Sequence, residues 1–455
     1  MSRLKSLTQG NSLAARAIRS GGWTILGYGG SQALRLASNL ILTRLLFPEA
    51  FGLMSLVWVF LQGLSNLSDM GVTQSILQSK RGEDRAFLDT AWTIQVLRGV
   101  FLLILTWALA VPAAAFYDAP ELAEILPVVG LTLLIMGLFP TKKDSANRHL
   151  ALGRITMIDL SAQVIGLVVG VAIAWATGSV WALVANAVTT TVMQLIFYYI
   201  FLPGAINKPR WDKPAAGELI HFGKWIFLST AAGFLLSQGD KIVLGKHLSL
   251  GALGVYNIGY FLASFPLLLG GMLMRRIMIP IYREKPPSES AENRAKLHKM
   301  RMLLSGGLMG LLTLFALIGV WLVAALYDPR YALAGGVVVL LAVMQIPQVI
   351  ALTYDQAALA AGDSRGFFLL AATRAALMMV GLMIGASQYG LTGALLGQGL
   401  AMVLAYPAVV CLARAHDAWD ARHDAVFWTV GIGIGALAFW LYQSAIVKLS
   451  ALNLP

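Results

Sequence analysis

Arg35, Arg98 and Arg374 each lie well inside a long apolar stretch of the sequence, where charged side chains are rare. A guanidinium at the centre of a membrane costs about 2.5–3.5 kcal/mol on insertion scales, so it is expected to face a protein interior or a wet cavity. The planar arginine fork binds phosphate and carboxylate groups through two parallel hydrogen bonds. The three positions therefore predict an intramembrane site for an anionic ligand.

Amide and hydroxyl residues accompany the arginines at helical spacing. Tyr28, Gln32, Arg35 and Asn39 follow one face of the first apolar stretch, at i, i+4, i+7 and i+11. Such faces suit the polar part of a sugar-bearing ligand, but they also serve hydrogen bonds between helices, and both interpretations stay open for each residue. We predict that the arginines share a substrate cavity with Gln32, Asn39, Gln62, Asn66, Asn186, Asn257, Gln345 and Gln348.

Three aspartates also lie in the apolar stretches: Asp69, Asp159 and Asp355. They either couple transport to a proton or sodium gradient or balance the charge of the arginines. Other chemistry has no support, because the single cysteine, Cys411, excludes an internal disulfide and a thiolate metal cluster, and the six histidines show no ligand spacing. The sequence also lacks a phosphate-binding GxxxxGK[ST] loop. We therefore expect no catalytic residues, no metal, no cofactor and no enzymatic activity.

The composition excludes a soluble protein. Of 455 residues, 58% are hydrophobic and only 12% are charged, and the mean hydropathy is +0.73, whereas soluble domains carry about 25% charged residues. The pattern predicts an all-α polytopic membrane protein with 12–14 spans. The best count is thirteen, at 21–46, 51–77, 87–116, 121–140, 155–176, 180–202, 219–238, 254–282, 302–326, 331–360, 366–387, 391–413 and 426–447.

The basic residues predict the orientation of these spans. Of the 34 lysines and arginines, 26 fall in alternate gaps beginning with the N-terminus, and five fall in the other gaps. This asymmetry predicts a cytoplasmic N-terminus, and it explains the net charge of +12 without a nucleic-acid partner. Residues 1–20 are predicted to be a basic interfacial segment and not a signal peptide, and a disordered basic tail that only sets the topology fits the sequence equally well.

The two halves of the chain resemble each other. Residues 51–54 (FGLM) match 253–256 (LGVY), residues 115–118 (AFYD) match 325–328 (ALYD), and Gly178 matches Gly390, at offsets that grow from 202 to 212 residues. Six spans per repeat give both halves the same direction, as in alternating-access transporters with parallel repeats. We predict two parallel six-helix bundles around a central cavity, with a segment at 1–20, bundles at 21–203 and 219–413, a cytoplasmic linker at 204–218, and a cytoplasmic loop with an extra C-terminal helix at 414–455.

Two stretches carry a resemblance to a known family. Residues 39–52 (NLILTRLLFPEAFG) and 240–245 (DKIVLG), followed by 253–257 (LGVYN), resemble motifs of the Wzx-type polysaccharide flippases of the multidrug/oligosaccharidyl-lipid/polysaccharide flippase superfamily. Asp240, Lys241, Gly245, Gly254 and Tyr256 are the motif positions in the second half. Members of that family commonly have twelve or fourteen helices, so the thirteenth span departs from the pattern.

The resemblance implies a bacterial inner-membrane flippase. Its substrate would be an undecaprenyl-pyrophosphate-linked oligosaccharide for O-antigen, capsule or exopolysaccharide synthesis. Its expected partners are membrane lipids, a polysaccharide polymerase and a chain-length regulator. Two alternatives remain, namely a secondary exporter of small amphiphilic solutes and an intramembrane glycosyltransferase or polymerase.

Overall fold

The computed structural model describes residues 13–69 and 71–450, and these residues form helices and connecting turns without a strand. The predicted basic segment at 1–20 lies largely outside the described residues. The helices are α1 (Leu13–Leu45), α2 (Pro48–Leu67), α3 (Val72–Gln78), α4 (Arg85–Tyr117), α5 (Glu121–Gly137), α6 (Lys142–Arg148), α7 (Leu152–Thr177), α8 (Trp181–Phe201), α9 (Lys213–His247), α10 (Leu250–Ala263), α11 (Phe265–Glu284), α12 (Ala291–Leu326), α13 (Ala334–Met344), α14 (Ile346–Ala351), α15 (Asp355–Ala360), α16 (Ser364–Leu404), α17 (Tyr406–Ala415) and α18 (Ala421–Leu449).

The predicted all-α membrane architecture is confirmed, and helix lies in each of the thirteen predicted spans. Among the described residues, nine segments are long and apolar enough to cross a membrane, and the pair α5 and α6, bent by 59°, gives a tenth. The sequence count is higher because it also takes α1, α9 and a second arm of the segment Ser364–Ala415 as spans.

Several spans are interrupted, and proline marks most of the breaks. Pro266, Pro347 and Pro407 stand in the first turns of α11, α14 and α17, where the missing N–H of proline costs no hydrogen bond. The break between α2 and α3 is different: Asp69 Oδ1 accepts a hydrogen bond of 2.9 Å from the Gly71 N–H, and Gly71 has a φ of 60°. The second, eighth, tenth and twelfth predicted spans are all interrupted.

The chain forms two compact units, Met1–Ala231 and Ala232–Pro455. In the first unit, α7 packs along α8 and also against α1, while α4 packs along α5. In the second unit, α13 is the central element, because it contacts α10, α12, α16 and α18. The boundaries of the predicted bundles at 203 and 219 stay predictions.

Helix α13 is buried from Ala334 to Val343, which explains its uniformly apolar sequence. Two glycines let neighbouring helices approach it closely. A Cβ atom on Gly335 would lie 2.7 Å from the Cα atom of Val320 in α12, and one on Gly336 would lie 3.0 Å from the carbonyl oxygen of Ala445 in α18. The extra C-terminal helix α18 is thus part of the core of this unit.

Four glycines hold the two arms of α16 against each other. The helix is interrupted at Tyr389 and Gly390, and Gly390 has a φ of 52°. A Cβ on Gly381 would lie 2.4 Å from the carbonyl oxygen of Gly397, and one on Gly385 would lie 2.1 Å from that of Gly393. The chain therefore turns back on itself, and the backbones meet as they do in other membrane helix pairs with small interface residues.

Replacement of Gly385 by alanine is expected to destabilise the protein by about 1–3 kcal/mol, because the added methyl group overlaps the opposite backbone. The change is measured as a lower midpoint of thermal unfolding in detergent. Gly310→Ala in α12 is the control, since no atom lies within 4 Å of its Cβ position and alanine favours a helix. Equal midpoints for the two variants would show that the arms do not depend on this contact.

Candidate functional site

Arg98, in the middle of α4, is held at the break between α2 and α3. Its Nε donates a hydrogen bond of 2.9 Å to Ser68 Oγ, and its Nη2 donates one of 2.6 Å to the Ser65 carbonyl. The end of α2 leaves carbonyl groups without helical partners, and a cation near such a terminus is favoured. A broken helix therefore supplies the partners that a guanidinium in this apolar region needs.

A cavity of about 170 Å³ lies beside Arg98, within the first unit. Lys143, Gln95 and Asp144 also line it, and so does Thr73, whose hydroxyl donates a hydrogen bond of 3.0 Å to Asp144 Oδ1. The cavity lies where the breaks α2–α3 and α5–α6 place polar side chains next to α4. Two basic groups and one buried carboxyl group are thus gathered around one small space.

Arg374 in α16 is paired within the second unit. Its Nη1 and Nη2 atoms donate hydrogen bonds of 2.8 and 2.9 Å to the two carboxylate oxygens of Asp355 in α15. The side chains are 16% and 12% exposed, so the pair is largely shielded. This bidentate geometry occupies the face of the guanidinium that an anionic ligand would use.

Asp144 and Asp355 stand at equivalent points of the predicted internal repeat. They are 211 residues apart, between the offsets of the flanking matches, and each lies next to the break of an interrupted span. Asp355 has Arg374 as its partner, whereas Asp144 has Thr73. The two halves thus use one acidic position in different ways.

The other predicted cavity residues are spread over both units. Asp159 accepts hydrogen bonds from the Tyr198 hydroxyl and from Gln194 Nε2, the latter at 3.0 Å, and thereby joins α7 to α8. Bonds within one helix join Gln62 to Asn66 at 3.0 Å and Asn186 to Thr190 at 3.3 Å. The remaining positions are Gln32, which bonds to Tyr28 at 3.4 Å, half-buried Asn39, Asn257 and Gln348, exposed Arg35, and Gln345, which is buried.

Arg35 and Arg98 belong to the unit Met1–Ala231, and Arg374 belongs to the unit Ala232–Pro455. A cavity that contains all three arginines therefore stays a prediction. Within the first unit, the cavity around Arg98 takes Lys143 as its second basic residue and does not include Arg35.

The motif at 240–256 forms a buried cluster in the second unit. Tyr256, fully buried, donates a hydrogen bond to Asp240 Oδ2, while Asp240 Oδ1 has no partner among the described residues. Lys241 Nζ lies 4.4 Å from the centre of the Tyr260 ring and donates a hydrogen bond of 3.0 Å to Gln238. These contacts fix the end of α9 against α10.

Sequence analysis missed a second polar cluster, built around Arg301. The predicted spans leave Arg301 in a gap, among the basic residues that indicate orientation, but α12 begins at Ala291 and Arg301 is only 2% exposed. Its Nη2 donates to the Tyr282 hydroxyl, and its Nη1 lies 3.9 Å from Asp420 Oδ2. Asp420 also meets the Nδ1 atom of His298 at 2.6 Å.

The same cluster continues into the first turn of α18. His423 is fully buried, with Nε2 at 2.8 Å from Ser305 Oγ and Nδ1 at 3.1 Å from Asp424 Oδ1. Asp424 also accepts hydrogen bonds from Tyr354 Oη at 2.6 Å and from the Trp419 indole at 3.0 Å. The cluster joins α18 to α12. The described residues contain no group of three or more His, Cys, Asp or Glu that could hold a metal ion.

Comparison with known proteins gives matches along most of the chain. A family model described as "Polysaccharide biosynthesis protein" matches residues 41–334. The chain is 22% identical over 324 residues to the lipopolysaccharide biosynthesis protein WzxC of Escherichia coli, covering 70% of this chain and 63% of that protein. It is 23% identical over 257 residues to the succinoglycan biosynthesis transport protein ExoT of Rhizobium meliloti, covering 56% and 51%. The match thus spans about half to two thirds of the length of these relatives.

Solved structures share the fold. The inward closed conformation of the lipid II flippase MurJ superposes with a TM-score of 0.65 at 11% identity, covering 96% of each chain. An inward-facing multidrug resistance MATE transporter of the MOP superfamily gives a TM-score of 0.62 at 14% identity, covering 85% of this chain and 95% of that one. At these identities the likeness shows the fold alone.

Breaking the pair between Arg374 and Asp355 is expected to destabilise the protein by about 3–5 kcal/mol, since it leaves an uncompensated shielded charge. Arg374→Met and Asp355→Leu test this separately, and the double variant is expected to lose less than the sum of the two. Thermal unfolding in detergent gives the three values. Additive losses would mean that the two side chains are not coupled.

The environment of Asp420 predicts that the packing of α18 against α12 becomes less stable at low pH. Burial by itself raises the pKa of Asp420, but the hydrogen bonds from His298 and from the His423 N–H, together with Arg301, bring that pKa below its ordinary value. The stabilisation is therefore complete above the ordinary aspartate pKa of about 3.9 and is lost as the pH falls through the lower folded-state value.

We expect Asp420→Asn, which keeps a good N-cap residue, to cost about 1–2 kcal/mol at neutral pH. The difference from the wild type should shrink below about pH 4, because the wild-type carboxylate is then protonated. Thermal unfolding over a pH series measures it, and Asp417→Asn, on the exposed loop before α18, is the control. A difference that is independent of pH would contradict the charge-based account.

Proposed function

The chain belongs to the family of polysaccharide biosynthesis proteins, and on that premise we propose that it is a flippase for a lipid-linked oligosaccharide. The proposed substrate is an undecaprenyl-pyrophosphate-linked oligosaccharide. It would cross the bacterial inner membrane from the cytoplasmic to the periplasmic leaflet, to be used for a surface polysaccharide. The names of WzxC and ExoT, which refer to lipopolysaccharide and to succinoglycan transport, support this substrate class.

The observation that carries the proposal is the cavity beside Arg98. A diphosphate group needs cationic hydrogen-bond donors, and Arg98 and Lys143 line the same small space within the apolar region. Arg98 uses Nε and Nη2 for Ser68 and Ser65, which leaves Nη1 for a ligand. The hydrogen bonds to α2 hold the guanidinium in place before the ligand arrives, so less entropy is lost on binding.

The roles of the remaining groups follow from substrate chemistry. The polar residues predicted on the helices would accept the sugars, while the polyprenyl chain stays in the lipid. We propose alternating access between the two repeats, since parallel-repeat transporters work in this way. Asp355 is engaged by Arg374 and Asp159 by Tyr198 and Gln194, which favours charge balance and helix pairing for these two over ion coupling.

An exporter of small amphiphilic solutes would use the same fold, because MATE transporters have it. Fold alone does not separate the two functions. The match to the polysaccharide biosynthesis family favours the lipid-linked glycan. An intramembrane glycosyltransferase has no comparable support, because the fold is shared with transporters and with a flippase.

Arg98→Gln is expected to reduce glycan export at least tenfold, because the loss of a charge-assisted hydrogen bond costs about 1.5–3 kcal/mol. Arg98→Lys keeps the charge without the forked donors and should give an intermediate rate. The measurement is accumulation of lipid-linked glycan in the inner leaflet of a deletion strain that carries each variant.

Arg422→Gln is the control, since Arg422 is exposed in the first turn of α18. Unfolding midpoints of the purified variants separate a transport defect from misfolding. Normal export by a folded Arg98→Gln variant would contradict the proposal that this cavity binds the diphosphate. Export of small dyes with no change in lipid-linked glycan would favour the solute exporter.

A further inference from the structure

A second and larger cavity lies in the first unit, apart from Arg98. It has a volume of about 540 Å³ and is bordered by the start of α1, the connection between α6 and α7, and the end of α8. Its lining includes the basic side chains Lys142, His149 and Arg154 and contains no aspartate or glutamate. Glu83 contacts the lining residues Ser145 and His149, but the two cations of Lys142 and Arg154 outnumber this one carboxylate, which suits an anion.

Lys142 is fixed at the wall of this cavity by the end of α8. Its Nζ donates hydrogen bonds of 3.0 and 3.2 Å to the carbonyl oxygens of Tyr199 and Leu202, the type of contact that stabilises a helix C-terminus. An ammonium group has three donors, so one remains for a ligand. The end of α8 therefore holds the Lys142 ammonium group in position at the cavity wall.

Arg154 contributes an available guanidinium. It is exposed in the first turn of α7, and no hydrogen bond or ion pair joins it to another residue of the described chain. His149, which also lines the cavity, is paired through its Nε2 atom with Glu83 Oε1 at 3.2 Å. Two cationic groups that bind phosphate oxygens, those of Lys142 and Arg154, thus line one space.

The surroundings of the cavity are apolar and suit a lipid more than a soluble ion. Trp23 lies in its wall, and tryptophan is enriched at the level of lipid headgroups. The last residues of α8, Ile200 and Phe201, are 65% and 57% exposed, next to the lining residue Leu202. In the predicted topology these elements are at the cytoplasmic leaflet.

We propose that this cavity binds the phosphate group of a membrane lipid, with Lys142 and Arg154 contacting the phosphate and Trp23 contacting the glycerol or prenyl region. Two sources share this chemistry, an anionic phospholipid and a polyprenyl diphosphate. The proposal does not rest on the transport function, because it concerns binding at a surface site separate from Arg98.

The test uses the full chain, purified in detergent and delipidated, with native mass spectrometry to count bound phosphatidylglycerol. Arg154→Gln is expected to weaken the binding at least tenfold, because the loss of one charge-assisted hydrogen bond has an effect of that size. Arg365→Gln is the matched control, because Arg365 is 211 residues further along the repeat and also exposed. Diacylglycerol, which lacks the phosphate, should not bind at this site.

Competition identifies the source of the phosphate. Displacement of phosphatidylglycerol by farnesyl diphosphate supports a site shared with polyprenyl diphosphates, and no displacement supports a phospholipid site. Equal phosphatidylglycerol binding by wild type and Arg154→Gln would overturn the proposal. So would inorganic phosphate that competes as well as the lipids do, because the site would then recognise a soluble anion. The Arg98→Gln variant, with this cavity intact, should bind phosphatidylglycerol normally even if its transport fails.

Discussion

The need to give every polar group a partner in an apolar environment governs the described structure. The lipid interior offers no water, so a charge or an unpaired backbone group must be satisfied by the protein itself. Arg98 finds carbonyl and hydroxyl oxygens at a helix end, and Arg374 finds Asp355. The two arrangements differ in net charge. The Asp355 carboxylate neutralises the guanidinium of Arg374, whereas carbonyl and hydroxyl oxygens leave the positive charge of Arg98 in place.

Interrupted helices follow from the same constraint and make the sites possible. A continuous helix uses its backbone groups internally, whereas a break leaves several of them to other partners. The end of α2, at such a break, supplies a carbonyl oxygen to Arg98, and the end of the uninterrupted helix α8 supplies two to Lys142. In each case the free end of a helix places a basic side chain beside a cavity. A helix end loses backbone hydrogen bonds, and the carbonyl groups that it leaves unpaired can bind a cation.

The fold is largely predictable from the sequence because it depends on the composition and on the regular recurrence of apolar stretches along the chain. Apolar stretches of span length, basic residues in alternate gaps and a repeated half together predict a helical membrane protein, and the helices lie where these patterns indicate. Boundaries were less accurate where charges enter a helix: α12 begins at Ala291, and the predicted span began at 302. The span pattern consequently places Arg301 in a loop, whereas the residue is buried at the centre of a polar cluster.

The sequence by itself determined the class of the protein and the residue types of its candidate site, because both follow from hydropathy, charge and short motifs. It predicted Arg98 and Arg374 as intramembrane cations and Asp355 as a carboxylate able to balance one of them. Only the tertiary structure decided that Asp355 pairs with Arg374, that Asp159 binds Tyr198, and that Lys143 joins Arg98. Such pairings depend on how each helix is rotated and where it is broken when it packs against its neighbours. The spacing of residues along one helix does not predict these contacts.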